Sequence, residues 1–431
     1  MDWKQVLTEH LQNLIRLDTT NPPGQETKAV DYLAQHLAAS GIWHQTFEPA
    51  PGRGSVVARL PGDGSERPLL LLAHLDVVMA HAAEWTVPPF SGQEAEQMIW
   101  GRGAIDTKNL VATWLTLMQM FAAEQVLLRR DIVFAATADE EAGGRMGLGW
   151  LVEHHPELVD CEYCLNEGGG NAMQIGSHTY FTLQSGEKAS AEVKLTASGT
   201  AGHASIPLPD NAVAKLAAAI GQISAAKLPV HLTRTVESFI GVLARDAGLP
   251  ASIAPEQTLD LMGQYISSPF ERAAISAMLQ NTACPTILEA GQKLNVAPSR
   301  ATAYLDGRVL PGQSGADLER ELAPLVAGLA DLAVGPHLPA TESEPETALT
   351  QVIRDVISRQ QPGAKLIPFL SPGATDARYL RPRGAVVYGF APMLPGELVQ
   401  LAHGVDERIS LRSLHFGLDV LEEVVRRIAA K

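Results

Sequence analysis

Leu69-Leu70-Leu71-Leu72-Ala73-His74-Leu75-Asp76 carries five consecutive apolar residues straight into a histidine and an aspartate. So short and so uniformly apolar a run predicts a strand buried on both faces. Polar groups at its carboxyl end predict a site there, because open α/β sheets build their sites beyond the ends of strands. Ser55–Leu60 and Ile132–Thr137 have the same character, with a helical stretch over Asn109–Glu124 between them. Ile132–Thr137 leads into Asp139-Glu140-Glu141, and Cys164-Leu165-Asn166 leads into Glu167. The alternation predicts an α/β fold in which residues far apart in sequence converge at one edge of a sheet.

Apolar residues at helical spacing over 4–16 and 27–39, separated by Asn21-Pro22-Pro23-Gly24, predict an opening helical pair. The rhythm changes near Glu187. A strand over Ala191–Ala197 is followed by helices near Asn211–Ser224, Val236–Arg245 and Phe270–Gln280, then by strands near Lys293–Val296 and Ala301–Val309. Two helices on one antiparallel sheet account for most of this stretch. Ser185-Gly186 and Pro311-Gly312-Gln313-Ser314-Gly315 flank it as hinges. The α/β pattern then resumes, with helices near Ala316–Ala327, Thr347–Gln360 and Ser410–Ala430 and a strand near Lys365–Leu370. The parse is a split catalytic domain (1–186 and 313–431) around an inserted domain (187–312).

Composition limits the function classes. The 431 residues are 46% hydrophobic and 19% charged, with formal net charge −15. That balance repels polyanions and points away from nucleic acid and anionic membranes toward a small-molecule substrate. No stretch approaches the roughly 20 apolar residues of a membrane span, and Met1–Leu7 has no signal-peptide character, so cytoplasmic residence is the expectation. Three cysteines, with Cys161-Glu162-Tyr163-Cys164 as a lone CxxC, do not make a disulfide framework and read as ordinary residues of a buried strand.

His74, Asp106, Glu141, Glu167 and His403 suit a two-metal hydrolytic site in residue type, since zinc-like ions take imidazole nitrogen and carboxylate oxygen and a paired site shares one carboxylate. In His74-Leu75-Asp76 alternate residues share a strand face, so Asp76 is expected to orient the imidazole, although HxD is common elsewhere. Two glycines before Asp106 let the backbone bend sharply into a helix start, where an N-cap aspartate is equally good chemistry. Adjacent Glu140 and Glu141 at a buried strand end call for cations or protons, or else form a solvated acidic turn. Their side chains diverge, so Glu141 is assigned as ligand and Glu140 as general base.

The joint pattern resembles a known family closely. It comprises HxDVV, WxxPPFSG, WGRGAxDTK, DEEAGG, NEGGG, GxAGHAS, NVxPxxAxxxxDxRxLPG, GATDAR and HGxDE, in order from His74 to His403. The family is the co-catalytic zinc amidohydrolases that include carboxypeptidase G, acetylornithine deacetylase, succinyl-diaminopimelate desuccinylase and aminoacylase-1 (metallopeptidase family 20). The resemblance implies a phosphorylase/hydrolase-like catalytic domain with a mixed central sheet, split by an α+β lid or dimerisation domain. It implies one divalent ion on His74, Asp106 and Glu167 and another on Asp106, Glu141 and His403, most often Zn2+, with Co2+ or Mn2+ as alternatives. A cis peptide after the bridging aspartate, here Asp106-Thr107, is common in such proteins. His203 matches a histidine that stabilises the oxyanion, commonly from the partner subunit of a homodimer, although alone it reads as structural. Asn295 and Arg308 match substrate-binding residues, Arg308 for a carboxylate, with a surface ion pair as the dull alternative. Gly373, Thr375 and Asp376 match a pocket loop.

Met79 stands where the family has proline, and Asn109 where glycine often follows the DxK lysine. Glu167 favours deacylases and carboxypeptidases over di- and tripeptidases, whose members usually carry aspartate there. The activity expected is cleavage of the amide bond of an N-acyl amino acid or the C-terminal bond of a small peptide. A di- or tripeptide aminopeptidase and a non-catalytic binding protein on the same fold are the alternatives.

Overall fold

The computed structural model describes residues 1–246 and 269–431. It divides into two compact units, one of Met1–Ser185, Ser343–Phe369 and Thr375–Lys431, the other of Gly186–Glu342 and Leu370–Ala374. In the first unit Ser343 N–H donates to the Ser185 carbonyl at 2.7 Å, so the two ends of the long excursion over Gly186–Glu342 meet there.

The first unit is built on a mixed sheet in the order Trp43–Phe47, Ser55–Leu60, Ile132–Thr137, Leu69–His74, Tyr163–Asn166, Val386–Gly389 and His178–Glu187. The strands from Ile132–Thr137 to Val386–Gly389 are parallel neighbours, and His74 lies in register with Thr137. Leu69, Leu71 and Ala73 pack on one face against helices Trp3–Arg16, Lys108–Glu124 and Leu411–Ala429. Leu70 and Leu72 pack on the other with residues of Leu148–His154 and Ala377–Leu380. Burial on both faces is why the run carries no polar residue until it ends.

The second unit holds an antiparallel sheet in the order Thr282–Ala290, Arg300–Val309, Ala189–Ser198 and Asp331–Val334. Helices Ala212–Ala225 and Gly315–Val326 cover one face, contributing Leu216, Ala219, Leu318 and Leu322 to its core. Asn211 caps the first helix by accepting from the Val213 and Ala214 N–H groups. The expected fold class, an α/β domain interrupted by two helices on an antiparallel sheet, is what the chain adopts.

Two details differ from expectation. The expected hinge at Pro311–Gly315 lies inside the second unit, which runs on to Glu342. Gly315–Val326 supplies its second covering helix and Asp331–Val334 its edge strand, so their apolar residues are spent on this core. The strand placed near Lys293–Val296 is instead Thr282–Ala290, with only Val296–Ala297 paired beyond it. Pro285 and a register shift at Pro285/Ile287 hide that strand, and an edge strand tolerates both. Among the described residues no helix is long and apolar enough to cross a membrane.

Candidate metal centre

Neighbouring parallel strands deliver the first groups. His74 ends its strand, Glu140 and Glu141 follow Ile132–Thr137 by way of Asp139, and Glu167 follows Asn166 directly. Asp106 precedes helix Lys108–Glu124, whose N-cap position is Thr107 with no side-chain cap, which removes the capping account of Asp106. The Asp106-Thr107 peptide is cis, as the resemblance implies. His403 comes from a loop in which it and Asp406 both adopt left-handed backbone, φ 61° and 60°. Such conformations in non-glycine residues persist where the surroundings over-determine them.

These segments bring the ligand atoms into two groups that share Asp106. His74, Asp106 and Glu167 form one, Asp106, Glu141 and His403 the other, with the atoms of each within 4.8 Å of one another. Asp106 Oδ1 lies 3.1 Å from His74 Nε2, and Oδ2 lies 3.0 Å from His403 Nε2. Glu167 Oε2 is 3.4 Å from His74 Nε2, and Glu141 Oε1 is 2.9 Å from His403 Nε2.

The tautomer of His74 tests the fit to a cation. Its Nδ1 donates to the Asp76 carbonyl at 2.9 Å, so a neutral ring presents the Nε2 lone pair to the oxygens of Asp106 and Glu167. Only a proton or a metal ion can lie between those atoms. Burial opposes charge on His74, yet Glu167 and Asp106 outweigh it and hold the imidazole well above its usual range. Hydrogen bonds to Asp106 and Glu141 raise His403 to about 10. Burial pushes Glu167 up to about 7, and burial with the Glu167 charge pushes Glu140 well above the carboxylate range. Four crowded carboxylates facing two imidazoles thus want more positive charge than protons on the rings supply. The donor set, imidazole and carboxylate with one shared carboxylate, fits a pair of divalent ions.

Asp76 lies beside His74 and also serves the neighbouring turn. Its carboxylate is 3.5 Å from His74 Nδ1, which in addition donates to the Asp76 backbone carbonyl at 2.9 Å. Its Oδ1 accepts from Glu140 N–H and its Oδ2 from Glu141 N–H, at 3.1 Å each, while Asn21 Nδ2 donates to Oδ2 at 2.8 Å. The carboxylate thereby holds the turn that presents Glu140 and Glu141.

Sequence reasoning missed several supporting groups. The Lys108 ammonium, fully buried, donates to the carbonyls of Leu14 and Leu17 and so ties the first helix's end to the segment carrying Asp106. Arg53 pairs with Glu26 and Asp139 beneath the glutamate turn. Arg378 Nη2 stands 3.5 Å from Glu140 Oε1. Arg378 was present in the GATDAR motif, whereas the partners of Lys108 and Arg53 are too remote in sequence to signal anything.

Thr375 Oγ1, buried in the first unit, accepts from Asn166 Nδ2 at 3.2 Å, next to Glu167. Asp376, also buried in the first unit, accepts from Thr137 Oγ1 at 3.1 Å. His203, Asn295, Arg308 and Gly373 lie in the second unit. His203 is exposed on a two-residue ribbon paired with Val296–Ala297, and the Ala204 N–H donates to the Asn295 carbonyl at 3.1 Å. His203 Nδ1 accepts from Ser205 N–H at 3.2 Å, which leaves the proton of the neutral ring on Nε2 as a donor. Arg308 is engaged bidentately by Asp306, at 2.7 and 3.0 Å, the ion pair that the resemblance made the lesser expectation. The two residues share a strand face at i and i+2, which brings fork and carboxylate together. Gly373 N–H donates to Ser371 Oγ at 3.1 Å.

A profile of peptidase family M20/M25/M40 matches residues 70–427, a span containing both ligand groups. The chain belongs to that family. Human N-fatty-acyl-amino acid synthase/hydrolase PM20D1 is 28% identical over 375 residues, covering 84% of this chain and 74% of the relative. Human aminoacylase-1 is 25% identical over 434 residues, covering 96% and 93%. The M20 family metallo-carboxypeptidase Sso-CP2 of Sulfolobus solfataricus has the same fold, with TM-score 0.72, 17% identity and 99% of each chain covered. Membership in M20/M25/M40 makes the chain a metal-dependent hydrolase of amide bonds.

Proposed function

We propose that the protein is a two-zinc hydrolase that cleaves the amide bond of N-acyl amino acids. The observation that carries this is the placement of Asp106, each of whose oxygens faces a different imidazole, with Glu167 and Glu141 completing two three-residue groups. The similarity to PM20D1, whose name specifies N-fatty-acyl amino acids, and to aminoacylase-1 supports the substrate class. Bound to these groups, two divalent ions would polarise the scissile carbonyl and acidify a water molecule.

Glu140 stands beside the ligands with its backbone fixed by Asp76. As general base it takes a proton from the attacking water and delivers it to the amine nitrogen as the carbon–nitrogen bond breaks, giving a carboxylate and a free amino acid. His203, with its Nε2 proton, is assigned to the developing oxyanion, and Arg308 and Asn295 to the amino-acid carboxylate. The second unit is assigned to dimerisation, supported by the exposed Ile287 and Leu288 on its edge strand.

Incubation with a chelator, followed by elemental analysis, tests the reading. Hydrolysis of N-acetyl amino acids should vanish with the ions and return with zinc or cobalt, while unblocked dipeptides remain poor substrates. Undiminished turnover in verified metal-free protein refutes it.

A further inference from the structure

Glu407 is completely buried, and its carboxylate collects four hydrogen bonds from one short stretch of chain. Oε1 accepts from the N–H groups of Ile105 at 2.7 Å and Asp106 at 3.0 Å. Oε2 accepts from Gly103 N–H at 3.0 Å and Arg102 Nη1 at 2.6 Å. Arg102 Nη2 in turn donates to the carbonyl of Gly404, the residue after His403, at 2.9 Å. The Gly101 N–H donates to the Glu407 carbonyl at 2.9 Å. The loop that presents Asp106 and the loop that presents His403 are therefore fastened to each other by residues of both.

We propose that Glu407 is a positioning residue that sets the separation between Asp106 and His403, and with it the affinity of the ion site formed by Asp106, Glu141 and His403. This rests on the two-ion reading above. Converging peptide N–H groups make a nest that an anion fills, and no neutral side chain supplies acceptors to all four donors. The first group is held differently, because His74 ends a strand and is itself in register with Thr137, while Glu167 directly follows Tyr163–Asn166, the strand paired on the other side of Leu69–His74. His403 has no such support: its loop follows a short 3-10 turn, Val399–Leu401, and its backbone is left-handed. Ligand sets tolerate displacements of only about 0.5 Å, so slack between these loops acts on the second ion first.

The test uses the full chain, stripped of metal and titrated with zinc by calorimetry, with elemental analysis of the product. Wild type, Glu407→Gln and Glu407→Ala are compared, and cobalt absorption spectra report ligand geometry. Glutamine keeps the shape and one acceptor oxygen but sets an NH2 group against two of the donors. Expected is retention of one ion near wild-type affinity and weakening of the second by about 10–100-fold, as for other groups that orient ligands, with an altered cobalt spectrum. Two ions at wild-type affinity in the glutamine variant overturn the inference. Equal loss of both ions together with a fallen Tm overturns it as well, since that marks a merely structural role. Should the alanine variant fail to fold, the glutamine variant decides. A wild-type chain that takes up fewer than two ions sinks the two-ion reading itself, and this inference with it.

Discussion

The carboxylate of Asp76 accepts the backbone N–H of Glu140 through Oδ1 at 3.1 Å, and that of the following residue through Oδ2. The aspartate that ends the His74 motif thus governs the neighbouring strand's turn. Replacing it with asparagine removes one of two acceptors facing those N–H groups. Asp76→Asn is expected to lower kcat about 10–100-fold, the usual scale for groups that orient a site, with KM little changed. Steady-state kinetics on zinc-loaded protein checks this, and an unaltered kcat would refute the assigned role.

Glu140 is neither paired with an imidazole nor part of either ligand group. Glu140→Ala should therefore leave two ions bound while slowing hydrolysis by about 10²–10⁴-fold, the range for a lost general base. Metal content and turnover measured on the same sample decide. Loss of an ion along with activity would make Glu140 a ligand instead.

Arg308 must exchange or share its bond to Asp306 when a substrate carboxylate arrives. Removing a charge-assisted hydrogen bond costs about 1.5–3 kcal/mol. Arg308→Ala should raise KM about 10–100-fold for N-acyl amino acids and far less for their carboxamides. Equal effects on acid and amide would show that Arg308 serves only its strand.

His10 provides a prediction about stability away from the site. It is buried between the Tyr32 hydroxyl at 2.7 Å and Gln119 Oε1 at 2.9 Å. Burial pushes its imidazole down to about 4 from the usual 6.5. Between those values the unfolded chain binds a proton that the folded chain refuses. Stability is therefore unaffected by this group above pH 6.5 and falls as pH drops toward 4, by about 3 kcal/mol across the window. Denaturant titrations at several pH values should show the slope in wild type and a shallower one in His10→Gln. Equal slopes would place the acid sensitivity elsewhere.

The strands Leu69–His74 and Ile132–Thr137 were legible because burial on both faces leaves an unbroken apolar run, and His74, Glu141 and Glu167 stood out as candidates because they lie where such runs stop. Trp43–Phe47 was not, since most of it is exposed at the sheet edge and carries no alternation. Thr282–Ala290 was hidden by Pro285, which central strands exclude but edges allow. The domain boundary was misplaced because Gly315–Val326 looks like any amphipathic helix, and only pairing shows which sheet it covers. Within the site, residue types suggested the donor inventory and the family resemblance its division into two groups, but neither showed that the Asp76 backbone carbonyl would face His74 or that Glu407 would bind the loop before Asp106. A side chain and a main-chain carbonyl of the same residue are indistinguishable in sequence.

The Ser343 N–H to Ser185 carbonyl bond at 2.7 Å closes the base of the long excursion over Gly186–Glu342. All five residues proposed to hold ions lie in the first unit, in the stretches that flank that excursion. The cation-gathering chemistry is thus written wholly outside the inserted sequence, however much that sequence varies in length or composition.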